Sequence, residues 1–159
     1  MQEMSIAKAL RYKKRVVSKI NKLESNIIEN NSVIAGAERD FDVKTALLQR
    51  EEAVRHLIDV KMAISAASAP IQRKILECAE AKSRISFYNR VPTTHGKTPS
   101  QWEDNVTDYE AELRKQKRDE EILRLENLID DHQSSIDGFN HANNVGWTEM
   151  REIQPNDQE

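Results

Sequence analysis

This chain is poor in the residues that bend, bridge or fill a compact fold. Its 159 residues include four glycines, four prolines and one cysteine, and only 5% are aromatic. A single cysteine excludes an intramolecular disulfide and a cysteine-based zinc site, and it points to a reducing compartment. Cys78 lies between Ile75 and Ile85 at helical spacing. No base is marked near it, so it reads as a small buried apolar residue and not as a nucleophile. With 38% apolar and 32% charged residues, such a chain buries a narrow Leu/Ile/Val/Ala seam and not a broad core. Homo-oligomerisation is the expected way to cover more of it. No stretch approaches ~18 consecutive apolar residues, and the opening "MQEMSIAKALRYKKR" lacks the apolar run of a signal peptide. The expectation is a soluble cytoplasmic protein with no membrane partner.

Motifs for chemistry are missing as well. There is no P-loop, G-x-G-x-x-G, G-x-S-x-G or H-E-x-x-H pattern. Helical di-iron proteins use Glu-x-x-His pairs, but three residues before His56 stands Ala53, and three before His132 stands Ile129. No catalytic residue, metal or cofactor is therefore assigned, and the chain is read as a non-enzyme. An enzyme site assembled between chains would leave no single-chain motif. The net charge of −3 and pI near 5.9 argue against a general nucleic-acid coat, while leaving room for a local basic patch.

What is present is helical periodicity. All four glycines (Gly36, Gly96, Gly138, Gly146) and all four prolines (Pro70, Pro92, Pro99, Pro155) fall between or at the ends of periodic segments. The first helix is expected over about 5–31, with Ala9, Val16, Ile20, Leu23, Ile27 and Ile34 on one stripe and Gly36 as its C-cap. A second begins at Asp40 or Asp42 and buries Val43, Leu47, Val54, Leu57, Ile58 and Ile64. A third, over about 70–89, opens on Pro70 and carries Ile71, Ile75, Cys78, Ala79, Lys82 and Ile85. In "TPSQ", Thr98, Pro99 and Gln101 read as a capping box for a fourth helix. Its first stripe is Trp102, Val106, Tyr109 and Leu113. After the apolar-free "RKQKRDEE" comes a second stripe, Ile122, Leu125, Leu128, Ile129, Ile136 and Phe139, out of phase with the first. That slip means either a break or a helix crossing solvent. No strand pattern is seen. The expected fold is all-α, an elongated antiparallel four- or five-helix bundle with coiled-coil-like hairpins. It forms one domain over 1–150, followed by a frayed tail over 151–159.

Three surfaces are candidates for binding. In "YNRVPTTHGKTPSQW", Arg90, His95 and Lys97 would add to an anion site at the start of the fourth helix, with Tyr88 or Trp102 stacking on a planar ring; a plain connector is the competing reading. Near the far end, Asn140, His141, Asn143, Asn144 and Trp147 offer a similar set, although a Trp just past a helix end commonly packs back on the fold. On the first helix, Lys8, Arg11, Arg15, Lys19 and Lys22 recur at three- and four-residue steps with no acid between them. That spacing can track phosphates, or it can face acids such as those in "WEDNVTDYEAE". Glu52, His56 and Asp59 share one helix face and read as solvated ion pairing.

Three stretches, "MSIAKALRYKKRVVSKINKLESNI", "MAISAASAPIQRKILECAEAKSRISF" and "LENLIDDHQSSIDGFNHANNVGW", resemble a family of small bacterial helical proteins labelled septicolysin-like. The likeness covers about half the chain and departs from the family around 88–120. It implies an all-helical bundle that self-associates, and no catalytic residues; the toxin-like label is not carried over. The functional expectation is an oligomeric helical protein, of the kind a phage or mobile element encodes, that engages a partner protein or sequesters an anionic small ligand. The alternative is a nucleic-acid-associated factor using the basic face of the first helix.

Overall fold

The computed structural model describes residues 2–99 and 106–147. Along the chain run β1 (Gln2–Ser5), α1 (Ile6–Asn30), α2 (Val43–Ala67), a 3-10 turn (Ala69–Ile71), α3 (Gln72–Arg90), β2 (Gly96–Pro99), β3 (Val106–Tyr109), α4 (Lys115–Ala142) and β4 (Asn144–Trp147). The described chain is mostly helical, with four α-helices and four short strands, so the expected absence of strands does not hold. It packs as two compact units. Unit 1 comprises Met1–Pro70 and Gly138–Glu159, and unit 2 comprises Ile71–Asp137.

Unit 1 is built on the α1–α2 pair. The Ser5 hydroxyl caps α1 by accepting from the Lys8 N–H at 3.3 Å. Of the two aspartates expected to start α2, Asp42 does so, accepting from the Thr45 N–H at 3.1 Å and the Thr45 hydroxyl at 2.6 Å. These two bonds hold the Asp42 carboxyl below its ordinary range. The helices run antiparallel. Ile6 and Ala9 pack with Val60 and Ile64, Val16 and Ile20 pack with Ala53, and Arg50 reaches Glu24 at 2.9 Å. β1 pairs antiparallel with β4, from Gln2↔Trp147 to Ser5↔Asn144, and the Ile6 N–H donates to the Asn143 carbonyl at 2.9 Å. This brings Val145 and Trp147 into the core around Ile6.

The buried face of α2 differs from the expected one. Ala46, Ala53, His56 and Val60 are buried beside Val43 and Ile64, while Leu47 and Ile58 are 44% and 54% exposed. Small residues at the contact let α1 approach closely, and the larger leucine and isoleucine turn outward. Ile34, placed on the α1 stripe, is 84% exposed because the helix has already ended at Asn30. Gly36 is not its C-cap. It has a φ of 83° in a turn beyond the helix. The Arg39 guanidinium instead donates to the Asn30 and Asn31 carbonyls at 3.1–3.2 Å, satisfying groups the helix end leaves open.

Unit 2 pairs α3 with α4, also antiparallel. Glu77 meets His132 at 2.8 Å, Cys78 Sγ lies 4.0 Å from the Ile129 carbonyl, and Arg84 meets Glu121 at 2.8 Å. Cys78, Ala81, Leu125 and Ile136 are buried. Ala79 and Lys82, assigned to the buried stripe, are exposed. β2 and β3 form an antiparallel pair from Gly96↔Tyr109 to Pro99↔Val106. Thr98 and Pro99 therefore lie in a strand and do not cap a helix. Val106 and Thr107 are β-branched and favour the extended chain, and Pro99 takes the strand end, where a missing N–H costs least. Val106 and Tyr109 thus belong to β3, and "RKQKRDEE" supplies the first turns of α4. The phase slip is the change from strand to helix. Gln101 and Trp102 lie outside the described residues, as does the tail over 151–159.

Candidate anion-binding face

The apolar stripe of α1 orients its charged side. Ile6, Ala9, Val16 and Ile20 are buried against α2 or the strands, so Lys8, Arg11, Arg15, Lys19 and Lys22 all remain exposed. Arg11 donates to the Ala7 carbonyl of its own helix at 3.4 Å, and the Arg15 guanidinium sits 5.5 Å from the centre of the Tyr12 ring. Among the described residues none of the five has an ion-pair partner. By contrast, Arg50, Arg55, Arg73, Arg84, Lys117, Arg118 and Arg124 all do. With Lys13 and Lys14, positions 6–23 hold seven of the 24 basic residues and none of the 27 acidic ones. The rest of the chain carries ten more acids than bases. A chain of net charge −3 is therefore strongly polarised.

Behind this face lies a buried aromatic group that the sequence did not reveal as one unit. His56 is 4% exposed, and its Nε2 lies 2.9 Å from the Tyr12 hydroxyl. The two rings meet edge-on at 5.7 Å, and the other side of the story is Trp147, stacked on Tyr12 at 5.2 Å. Burial pushes His56 below the ordinary histidine value, and the negative charges of Asp59 and Glu52 partly offset this. His56 is thus a core residue, and the solvated ion-pairing reading for it is wrong. The C-terminal candidates divide accordingly. Trp147 and Asn140 are buried, while His141 and Asn144 are exposed, so they do not share one surface. The Trp147 indole N–H is buried without a hydrogen-bond partner among the described residues.

The loop candidates sit in unit 2. Arg90 is exposed at the end of α3, with its Nε donating to the Ser86 carbonyl at 3.4 Å. Tyr88 is half-buried with its ring 5.3 Å from Phe87. His95 Nδ1 accepts from the Ala111 N–H at 3.2 Å, a bond that ties the segment after β3 to the one before β2. Lys97 is exposed on β2. Among the described residues no helix N-terminus completes an anion site here, since α4 begins at Lys115.

A further cluster joins Glu77 to Arg73 and His132, both at 2.8 Å. It borders a cavity of ≈ 340 Å³ with Glu80, Ala81, Arg84 and Leu128. The Arg73 and His132 hydrogen bonds hold the Glu77 carboxyl below its ordinary range. No local pattern signalled this group, because its members lie on two helices. Among the described residues no three His, Cys, Asp or Glu side chains are grouped to hold a metal ion, and no helix is long and apolar enough to cross a membrane. No protein-family model, curated protein or solved structure matches the chain.

Proposed function

We propose that this chain is a non-enzymatic helical binding protein that engages an anionic macromolecule through the exposed basic face of α1. One observation carries the reading: seven cations stand in an acid-free stretch, and the five of its outer stripe have no ion-pair partner among the described residues, although acids are in excess elsewhere. The test is retention of the full chain on immobilised heparin and on immobilised polyglutamate at low salt. The native protein is retained on at least one. The triple variant Arg11→Glu, Arg15→Glu, Lys19→Glu is not, with its helicity unchanged by circular dichroism. Passage of the native protein through both columns overturns the proposal.

Two features extend it. Arg90 and Lys97 are exposed and have no ion-pair partner among the described residues, which supports a second contact with an anionic ligand or acidic partner on unit 2. Leu47, Ile58 and Met62 project from α2 at 44%, 54% and 68% exposure. That row supports the elongated, coiled-coil-like assembly of several copies, as exposed apolar patches do. Light scattering at micromolar concentration decides the second point: a monomer mass ends it. A fall in mass in the triple variant would instead assign the basic face to pairing between copies.

A further inference from the structure

We infer that the partner of the α1 basic face is the phosphate backbone of a nucleic-acid duplex, contacted without regard to base sequence. This rests on the reading of that face as an anion-binding surface and adds the class of partner.

Lys8, Arg11, Arg15, Lys19 and Lys22 span 15 residues of one helix, about 21 Å from first to last at the α-helical rise of about 1.5 Å per residue. Successive charges are about 4.5–6 Å apart along the axis. The array is straight, rigid and of one sign. The two strands of a duplex together offer a phosphate about every 1.7 Å of its axis, a dense array of one sign that five long cationic side chains can engage from a straight helix. Acidic protein surfaces interleave carboxylates with cations, as unit 2 itself does with Arg84, Glu121 and Arg124. An acidic protein partner would have to present an unbroken acidic run to match this row.

Tyr12 is the only aromatic residue of α1. Its hydroxyl is engaged by His56, and its ring lies near both Trp147 and Arg15. The face therefore has no free ring on which an unpaired base can stack, and stacking is where single-strand binders gain much of their affinity. What remains is charge against a regular backbone, the sequence-independent component of duplex binding.

A basic amphipathic helix binds a membrane by sinking its apolar face. Here Ile6, Ala9, Val16 and Ile20 are committed to the core. An anionic bilayer would be held by charge alone.

The experiment is fluorescence anisotropy of a mixed-sequence 30-base-pair duplex titrated with the full chain across a salt series. Five phosphate contacts give a slope of log K against log salt of about −4.5, against about −3.5 for a single strand. Affinity then falls about 500-fold between about 50 and 200 mM salt. Scrambling the duplex sequence leaves the affinity unchanged. Lys19→Gln makes the slope shallower by about one, while Lys61→Gln, exposed on α2, leaves it unchanged. Polyglutamate, phosphatidylserine vesicles and a single strand of the same length are compared at equal ionic strength. Tighter binding to any of these than to the duplex overturns the inference and assigns the face to an acidic protein, a lipid surface or an unpaired strand. So does a slope near zero. If heparin is retained and the duplex is not bound, only this inference fails. If no polyanion binds, the proposed function fails with it.

Discussion

The α1–α2 pair and the α3–α4 pair share a plan, two antiparallel helices with a short strand pair nearby, but different forces hold them. Between α1 and α2 the contact is mainly apolar, with Ile6 and Ala9 against Val60 and Ile64 in one cluster and Val16 and Ile20 against Ala53 in another, joined by the Tyr12–His56 and Glu24–Arg50 contacts. β4 adds Val145 and Trp147. Between α3 and α4 the named contacts are mostly polar: Glu77 with His132, Arg84 with Glu121, and Arg118 with the Val91 carbonyl at 3.4 Å. Exposed ion pairs contribute little each and weaken with salt, whereas burial of apolar area does not. The difference also shows in the charges. In unit 2 acids pair with Arg73, Arg84, Lys117, Arg118 and Arg124. In unit 1 the core is largely apolar, and the cations of α1 are left over.

Breaking the apolar seam is expected to have the largest effect. Trp147→Ala removes a side chain only 4% exposed and should cost about 3–5 kcal/mol. Hydrogen exchange should show α1 and α2 losing protection before α3 and α4. Equal loss in both pairs would mean that the two units do not unfold separately. The reciprocal change, Leu125→Ala, removes the most buried leucine of α4 and should cost about 2–5 kcal/mol, falling first on unit 2.

Acidification should distinguish the units next. His56 is held below its ordinary value by burial, so the unfolded chain binds its proton first. The stability His56 permits is fully present above the unfolded value near ~6.5 and is lost as pH falls below it, at no more than about 1.4 kcal/mol per pH unit. Glu77, Glu120 and Glu121 are held below their ordinary value by hydrogen bonds from Arg73 and His132, from Lys117 and Gln116, and from Arg124. Their contribution persists at that pH and is lost only as pH falls through the carboxylate range. Thermal unfolding at successive pH values should therefore show α1–α2 weakening first, and His56→Gln should remove that early loss. Unchanged acid sensitivity in the variant would rule out His56 as its source.

Smaller still is Ser5→Ala, which removes the α1 cap and should cost about 1 kcal/mol in urea unfolding. Smallest is Glu121→Gln, which loses the pairs with Arg84 and Arg124. Its shift in melting temperature should lie near the limit of detection and vanish at high salt. A shift that survives high salt would show that unit 2 does not depend on charge as described.

The long helices were legible in the sequence because a 3.6-residue period repeats many times in 25 residues. Ala9, Val16 and Ile20, or Leu125 and Ile136, reveal themselves by spacing alone. Four-residue strands contain barely two repeats of an alternating pattern, and Gln2–Ser5 finds its partner only at Asn144–Trp147. No local reading supplies that pairing. The "TPSQ" stretch misled because Thr and Pro suit a helix start, while the cross-strand pairing with Val106–Tyr109 is non-local. On α2 hydrophobicity was a poor guide to burial, since close helix contact selects Ala46 and Ala53 over Leu47 and Ile58. The basic stripe was fully visible as spacing. Its lack of partners was not, because pairing is a property of neighbours in space.

The pairing of β1 with β4 makes unit 2 an insertion within unit 1, and this has a consequence for biosynthesis. The 67 residues from Ile71 to Asp137 must be made after α2 and before β4. At about 5–20 residues per second, a nascent chain holds α1 and α2 for several seconds with Ile6, Ala9, Val60 and Ile64 lacking the cover of Val145 and Trp147. The inserted hairpin is complete before β4 can close the unit that holds α1, so the α1–α2 pair, made earlier, becomes native later.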